Sequence, residues 1–206
     1  MEYTTDIYGK DILLQNGKNE QVMMEWEIPY MNALIDNVKP TNMDVLEIGY
    51  GMGYSSKRVQ SYNPKSHTVI ERDKTVIKRA KEDGLNIDII EDMWQNALHK
   101  LDKFDFIFMD DHSYEDWDDE IEKAIDCNRH NLFVDMCRYN HLNPGGMVSF
   151  YFNGEVFNSD KFVFNRDVEY TESSIDIDIP DNCQYRNGGK CIIPLVKLTS
   201  FHKDNI

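Results

Sequence analysis

The stretch QVMMEWEIPYMNAL, residues 21–34, sets two carboxylates, Glu25 and Glu27, on either side of Trp26 in an otherwise apolar run. A carboxylate buried among apolar groups is costly unless it is paired, so the pair calls for a role. Downstream, VLEIGYGMGYSSKRV (45–59) runs from an apolar segment into Gly49, Gly51 and Gly53 and then into a helical pattern. Glycines so placed let backbone approach a ligand where a Cβ would obstruct it. Their spacing discriminates between ligands. A dinucleotide fingerprint needs a glycine three places after the second one, and Tyr54 stands there. The acid Glu47 comes before the first glycine, which makes the reading E-x-G-x-G-x-G. Two more acidic positions end apolar runs: Glu71 closes HTVIE, where a carboxylate can accept from two sugar hydroxyls, and Asp110-Asp111 closes FDFIFMDD.

Such residues need a scaffold that carries them to one edge. Apolar runs bounded by turn signals recur at 43–49, 67–72, 87–90, 104–110 and 146–152. Helical patterns separate them at 54–62, 74–83 and 119–142, the last ended by the turn Asn143-Pro144-Gly145-Gly146. This alternation predicts an α/β fold with a parallel sheet. The runs 173–179 and 190–198, joined through Gly188-Gly189, predict a late antiparallel strand pair closing it. In an open parallel sheet the ligand crevice lies outside the carboxyl ends of the strands, which is where the glycines, Glu71 and Asp110 fall. No repeat or linker divides residues 1–206, so one domain is expected, with residues 1–40 as an N-terminal lid segment.

Composition excludes several classes. A formal charge of −15 without a Lys/Arg cluster opposes nucleic acid and anionic membranes as partners. No apolar stretch approaches a membrane span, and the acidic start MEYTTDIYGKD is unlike a signal peptide, so a cytoplasmic location is expected. Cys127, Cys137, Cys183 and Cys191 show neither CxxC pairing nor a histidine at ligand spacing, which predicts reduced thiols and no metal site.

The E-x-G-x-G-x-G pattern is that of class I S-adenosylmethionine-dependent methyltransferases. VMMEWEIPYM, VLEIGYGMGYSSKRVQ, HTVIERD, EDMW, FDFIFMDDHSY, NPGG and NCQYRNGGKCIIPLV together resemble guanidinoacetate N-methyltransferase and its relative that methylates the internal nitrogen of protein arginine. The resemblance runs from about residue 12 to residue 198, and its N-terminal block is the specific part. It implies a Rossmann-like, seven-stranded, mostly parallel sheet and S-adenosylmethionine as cofactor, with S-adenosylhomocysteine as product. Carried over residue by residue, Glu27 and Asp110 hold the substrate's guanidino group. Met23, Glu47 and the Gly49 to Gly53 loop line the methionine side of the cofactor, Glu71 the ribose, and Asp92, Met93 and Trp94 the adenine, with Asp110 beside the reactive end.

The chemistry of a guanidinium agrees with this independently. It is planar, presents paired donors and has a pKa above about 12, so carboxylates are its natural partners. A protonated guanidinium has no lone pair for attack on a methyl group. Two carboxylates in a dry site hold the cation and take a proton as nitrogen attacks; Asp110 is read as the acceptor and Glu27 as the orienting partner. Glu25 is read as solvated and Trp26 as packing.

Substrate contacts are also expected from Asp111, His112 and the segment Asn153-Gly154-Glu155. Phe152-Asn153-Gly154 is nearer to the protein-arginine relative, and Glu155 argues for a cationic or neutral tail: arginine, agmatine or an arginine side chain. The protein-acting relative carries an extra N-terminal recognition region that is not found in this sequence, which favours a small guanidino compound or a short arginine peptide. Two other readings stay open. One is a methyltransferase acting on a phenol or a carboxylate, for which Glu27 and Asp110 need not converge. The other is a catalytically silent scaffold, as a homodimer, for which the cofactor need not bind.

Overall fold

The strands that read as unbroken apolar runs are covered on both faces, as parallel strands between helices are. β4 (Asp44–Ile48) is buried from Val45 to Ile48, and β7 (Phe104–Met109) is buried except at Asp105. The computed structural model describes residues 1–15, 17–111, 129–154 and 167–199. Along these strands side chains alternate between two cores. Leu46, Ile48, Ile107 and Met109 face one cluster, with Phe133 and Val134 of α5 (Arg129–Asn140). Val45, Phe106 and Phe108 face the other, with Tyr30, Met31 and Leu34 of α1 (Ile28–Asp36).

The remaining elements follow in chain order. They are α2 (Tyr54–Gln60), β5 (Ser66–Glu71), α3 (Lys74–Glu82), β6 (Asp88–Glu91), the short α4 (Trp94–Ala97), β8 (Leu142–Phe150), β9 (Val168–Asp176) and β10 (Lys190–Leu198). Asp73 caps α3, accepting from the backbone N–H groups of Thr75 and Val76 at 2.9 and 3.1 Å, which holds the helix start against the end of β5.

The seven-stranded sheet has the order β6-β5-β4-β7-β8-β10-β9. The first five of these strands are parallel, and β10 runs antiparallel to both β8 and β9. The chain builds outward from β4 through β5 to β6, then returns to β7 on the other side. That reversal puts a topological switch point at the carboxyl ends of β4 and β7, where Gly49 and Asp110 follow. Asp110 N–H donates to the Ile48 carbonyl at 2.9 Å, and Gly49 N–H to that of Ile70 at 2.9 Å, so the strand ends are tied side by side.

Three differences from the sequence reading stand out. Residues 1–24 fold as a three-stranded antiparallel sheet, β1 (Glu2–Thr5), β2 (Asp11–Gln15) and β3 (Glu20–Met24), where only a lid segment was expected. The Asn143–Gly146 turn lies inside β8: Leu142 pairs with Phe104 and Met147 with Phe106, so the intervening residues bulge, with Gly145 at φ +80°. β9 starts at Val168, earlier than the expected 173, and ends at Asp176. The helix expected over 119–142 is seen from Arg129 to Asn140, and its earlier part lies outside the described residues.

Candidate active site

Glu27 ends a single 3-10 turn, Glu25–Glu27, between β3 and α1. The turn directs its side chain inward, and only 2% of the residue is exposed. Its Oε1 accepts the Met24 N–H at 3.1 Å and a short hydrogen bond from the Tyr185 hydroxyl. Burial first, and then the negative charge of Asp110, push the Glu27 carboxyl up to about 8, against the pull of Tyr185, Met24 and Arg186. The two acids singled out in the sequence are therefore brought together. Glu25 instead faces outward to Lys10, 2.7 Å away.

The glycine loop is built for close approach. Gly49 has φ +84°, and a Cβ there would lie 2.1 Å from the Asp110 carbonyl oxygen, so β4 and β7 can adjoin only with glycine at this place. Gly51 lies beneath the N-terminal sheet: its carbonyl accepts from the Tyr3 hydroxyl at 2.7 Å, and Met23 Sδ accepts the Met52 N–H at 3.3 Å. Gly53 starts α2 and covers the Tyr50 ring. Tyr50 in turn donates its hydroxyl to Asp83 at 2.7 Å.

Glu47 differs from its expected place. It is 0% exposed, and Ser55, Ser56 and His67 all donate to its carboxylate, the last through Nε2 at 2.9 Å. Gln60 Nε2 lies 3.1 Å from His67 Nδ1, which leaves Nε2 as the donor toward Glu47. Glu47 thus braces the loop and α2 from beneath instead of lining the ligand side.

Glu71 accepts backbone N–H groups from Tyr50 at Oε2 (3.0 Å) and from Arg72 and Asp73 at Oε1 (2.7 and 2.8 Å). A carboxylate has about four acceptor positions, so one remains open, on Oε2. Burial raises the Glu71 pKa, and those three N–H groups oppose the rise.

Beyond β6, Asp92 caps the next turn, accepting from Met93 N–H at 2.8 Å, and it stays below the usual carboxylate range through Asn96 and that N–H. Met93 is 37% exposed, an apolar surface of the kind an adenine ring covers. Trp94 is not available in that way. It is 4% exposed, packs edge-on to Phe133 at 5.3 Å, and donates Nε1 to Asp111 Oδ2 at 2.9 Å. This bond also engages Asp111, expected at the substrate, in holding the end of β7.

Asn153 likewise serves as a tie. Its Nδ2 donates to the Tyr185 carbonyl at 2.8 Å, and its Oδ1 accepts from Arg186 Nη1 at 3.3 Å. Gly154 lies against Phe152, whose ring a Cβ would meet at 2.6 Å. His112 and Glu155 lie outside the described residues.

Sequence reasoning missed four residues around the carboxylates. Tyr185 bonds Glu27 across 158 positions of the chain. Arg186, 4% exposed, donates to the carbonyls of Phe152, Gly188 and Lys190. Tyr30 donates to the Ile192 carbonyl at 2.5 Å and packs on Tyr151, with ring centroids 5.3 Å apart. The Tyr151 hydroxyl is held neutral by burial and by the charges of Glu27 and Asp110. NCQYRNGGK was noticed for its family likeness, but no local spacing links Tyr185 or Arg186 to Glu27.

The glycine cradle at a switch point, Glu71 on the next strand and the exposed Met93 fit the parts of an adenosyl cofactor in the order an open sheet presents them. Sheet order and site together define a class I S-adenosylmethionine-dependent methyltransferase. Solved structures share the fold. Precorrin-6y C5,15-methyltransferase from Geobacter metallireducens GS-15 has TM-score 0.60 at 10% identity, covering 92% of this chain and 94% of that one. N-methyltransferase NodS from Bradyrhizobium japonicum WM9 has TM-score 0.59 at 16% identity, covering 85% and 97%.

A model of the guanidinoacetate N-methyltransferase family matches residues 9–159, and the chain belongs to that family. Among curated proteins it is 29% identical over 208 residues to protein arginine N-methyltransferase 2 of Candida glabrata, covering 86% of this chain and 48% of that protein. To the protein of the same name in Saccharomyces cerevisiae it is 26% identical over 209 residues, covering 86% and 49%. The chain spans about half the length of these relatives.

Proposed function

We propose that this enzyme methylates a guanidino nitrogen, on a small guanidino compound or on an arginine side chain. The observation that carries the reading is Glu27: a carboxyl almost without solvent, held on one oxygen and opposed by the charge of Asp110. A guanidinium placed against both acids relieves their repulsion and replaces the water they have lost. The name of the family supports a guanidino acceptor, and the names of the curated relatives support an arginine.

When bound, S-adenosylmethionine supplies a methyl group on a sulfonium and leaves as the neutral thioether. Met23, the Gly49 to Gly53 loop, Glu71 and Met93 are the residues that would hold it. Glu27 and Asp110 hold the acceptor cation in place. As the nitrogen lone pair forms the new N–C bond, the S–C electron pair stays on sulfur and the nitrogen gives up a proton to a carboxylate. Without a cation beside it Glu27, with a pKa of about 8, carries a proton near neutral pH, and it releases that proton when a guanidinium is placed against it. Its raised basicity then suits it to take the proton that the nitrogen loses, with Asp110 as the orienting partner, the reverse of the order read from the sequence.

Isothermal calorimetry tests the reading. S-adenosylhomocysteine is titrated first, then guanidinoacetate, arginine, agmatine and a short arginine peptide. One guanidino compound should bind the loaded protein, and Glu27→Gln should abolish that second step alone. Cofactor binding without any guanidine binding would assign the acceptor to another class, such as a phenol; no cofactor binding would leave the silent scaffold.

A further inference from the structure

The hydrogen bonds on Glu27 are lopsided. Oε1 accepts both the Met24 N–H and the Tyr185 hydroxyl, whereas no described residue donates to Oε2. An oxygen with two donors has both lone pairs occupied, and the carboxyl cannot rotate without losing both bonds. Tyr185 is itself fixed from several sides. Its ring lies by Trp26, with centroids 6.0 Å apart, and its carbonyl accepts from Asn153. The residues before it are joined to β3: Gln21 Nε2 donates to the Asn182 carbonyl at 2.8 Å, and the Gln184 N–H donates to Gln21 Oε1 at 2.7 Å. Arg186, which follows, is bonded to three carbonyls. The hydroxyl is therefore presented to Glu27 by a frame that exists before any substrate arrives.

We propose that Tyr185 is the positioning residue of the methyl-transfer site: it pins Oε1 of Glu27 so that Oε2 alone faces the acceptor nitrogen and receives its proton. The arrangement serves both states of the carboxyl. Ionised, Glu27 offers Oε2 to the guanidinium; protonated on Oε2, it keeps Oε1 as a carbonyl oxygen that still accepts from Tyr185 and Met24. The proton then arrives and leaves without a change of rotamer, as preorganised acid–base groups require. The consequence for turnover rests on the guanidino reading above, but the orientation of Glu27 does not.

The test is Tyr185→Phe in the full chain, which keeps the ring beside Trp26 and removes only the donor. Affinity for S-adenosylhomocysteine should stay within about twofold, while kcat falls roughly 10–100-fold, the range for a hydrogen bond to a charged group. The acid limb of the pH–rate profile should move up by about one unit, because the lost bond favoured the ionised form. A profile that does not move, with kcat within about twofold of the parent, would overturn the proposal, as would a parallel loss of cofactor affinity, which marks a packing role. A second readout needs no turnover: the Glu27 carboxyl followed by carbon NMR, assigned through its absence in Glu27→Gln. If the parent methylates no guanidine yet this titration moves upward in Tyr185→Phe, the guanidino reading falls and the positioning role stands. A titration that does not move removes the role whatever the substrate.

Discussion

A single carboxyl carries most of the argument, and its cost should be measurable. Glu27 gives up nearly all contact with water and faces the charge of Asp110, so its native pKa stands at about 8 against 4.5 for the ordinary group. Between those two values the native state holds a proton that the unfolded chain has released. Stability at this position is therefore intact below about pH 4.5, declines as pH rises, and is lost once pH passes about 8. At one pKa unit per about 1.4 kcal/mol the loss is about 5 kcal/mol at most. Glu27→Gln keeps an oxygen for Tyr185 and Met24 but never ionises. Scanning calorimetry should find the variant more stable than the parent at about pH 8.5, by several degrees, with the gap closing toward about pH 4.5. A gap of constant size across that range would mean that Glu27 is ionised throughout and that the site is wetter than its geometry indicates. Such a residue lowers stability where it serves the reaction, and nothing in its packing alone explains it.

At the scale of elements, the join between β4 and β7 depends on one missing side chain. Gly49→Ala puts a Cβ at φ +84° and 2.1 Å from the Asp110 carbonyl oxygen, a backbone atom with little freedom to move. The strained backbone alone should cost about 1–3 kcal/mol. Displacement of Asp110 should weaken guanidine binding before it weakens cofactor binding; calorimetry with both ligands decides, and unaltered affinity for both would show that the strand ends can part. This glycine was legible in the sequence because its offset from a buried strand is fixed by local geometry. The five parallel strands were legible for a similar reason, since strands covered on both faces read as continuous apolar runs. The N-terminal sheet was not. Its strands are four or five residues long, and β1 has no fully buried residue to make a pattern. The partners of Trp94 (Asp111 and Phe133) and of Glu47 (Ser55, Ser56 and His67) were not legible either, because side-chain direction near the end of a strand is left to tertiary packing. Tyr185 and Arg186 were beyond reach for a different reason: Tyr185 bonds Glu27 across 158 residues, and Arg186 lies 5.9 Å from the centre of the Tyr30 ring, contacts between distant parts of the chain that no spacing encodes.

At the scale of the whole molecule, the charge of −15 acts on any ligand that approaches. The outer strand β9 contributes Glu169, Glu172 and Asp176 along an open sheet edge, where charges also discourage pairing with another chain. A field of this sign raises the local concentration of cations, and salt removes it: the screening length falls from about 30 Å at 0.01 M to about 3 Å at 1 M. Substrates that share the guanidinium but differ in tail should separate the long-range field from the local pair of acids. Agmatine and an arginine peptide carry net positive charge, whereas guanidinoacetate is a neutral zwitterion. If attraction over distance matters, kcat/KM for the cationic substrates should fall severalfold between about 0.01 and about 0.5 M salt, with kcat steady and guanidinoacetate little affected. An equal fall for all three would assign the effect to screening at Glu27 and Asp110 themselves. That outcome is disfavoured by the burial of Glu27, because a pair closed off from solvent is screened much less than charges on the surface.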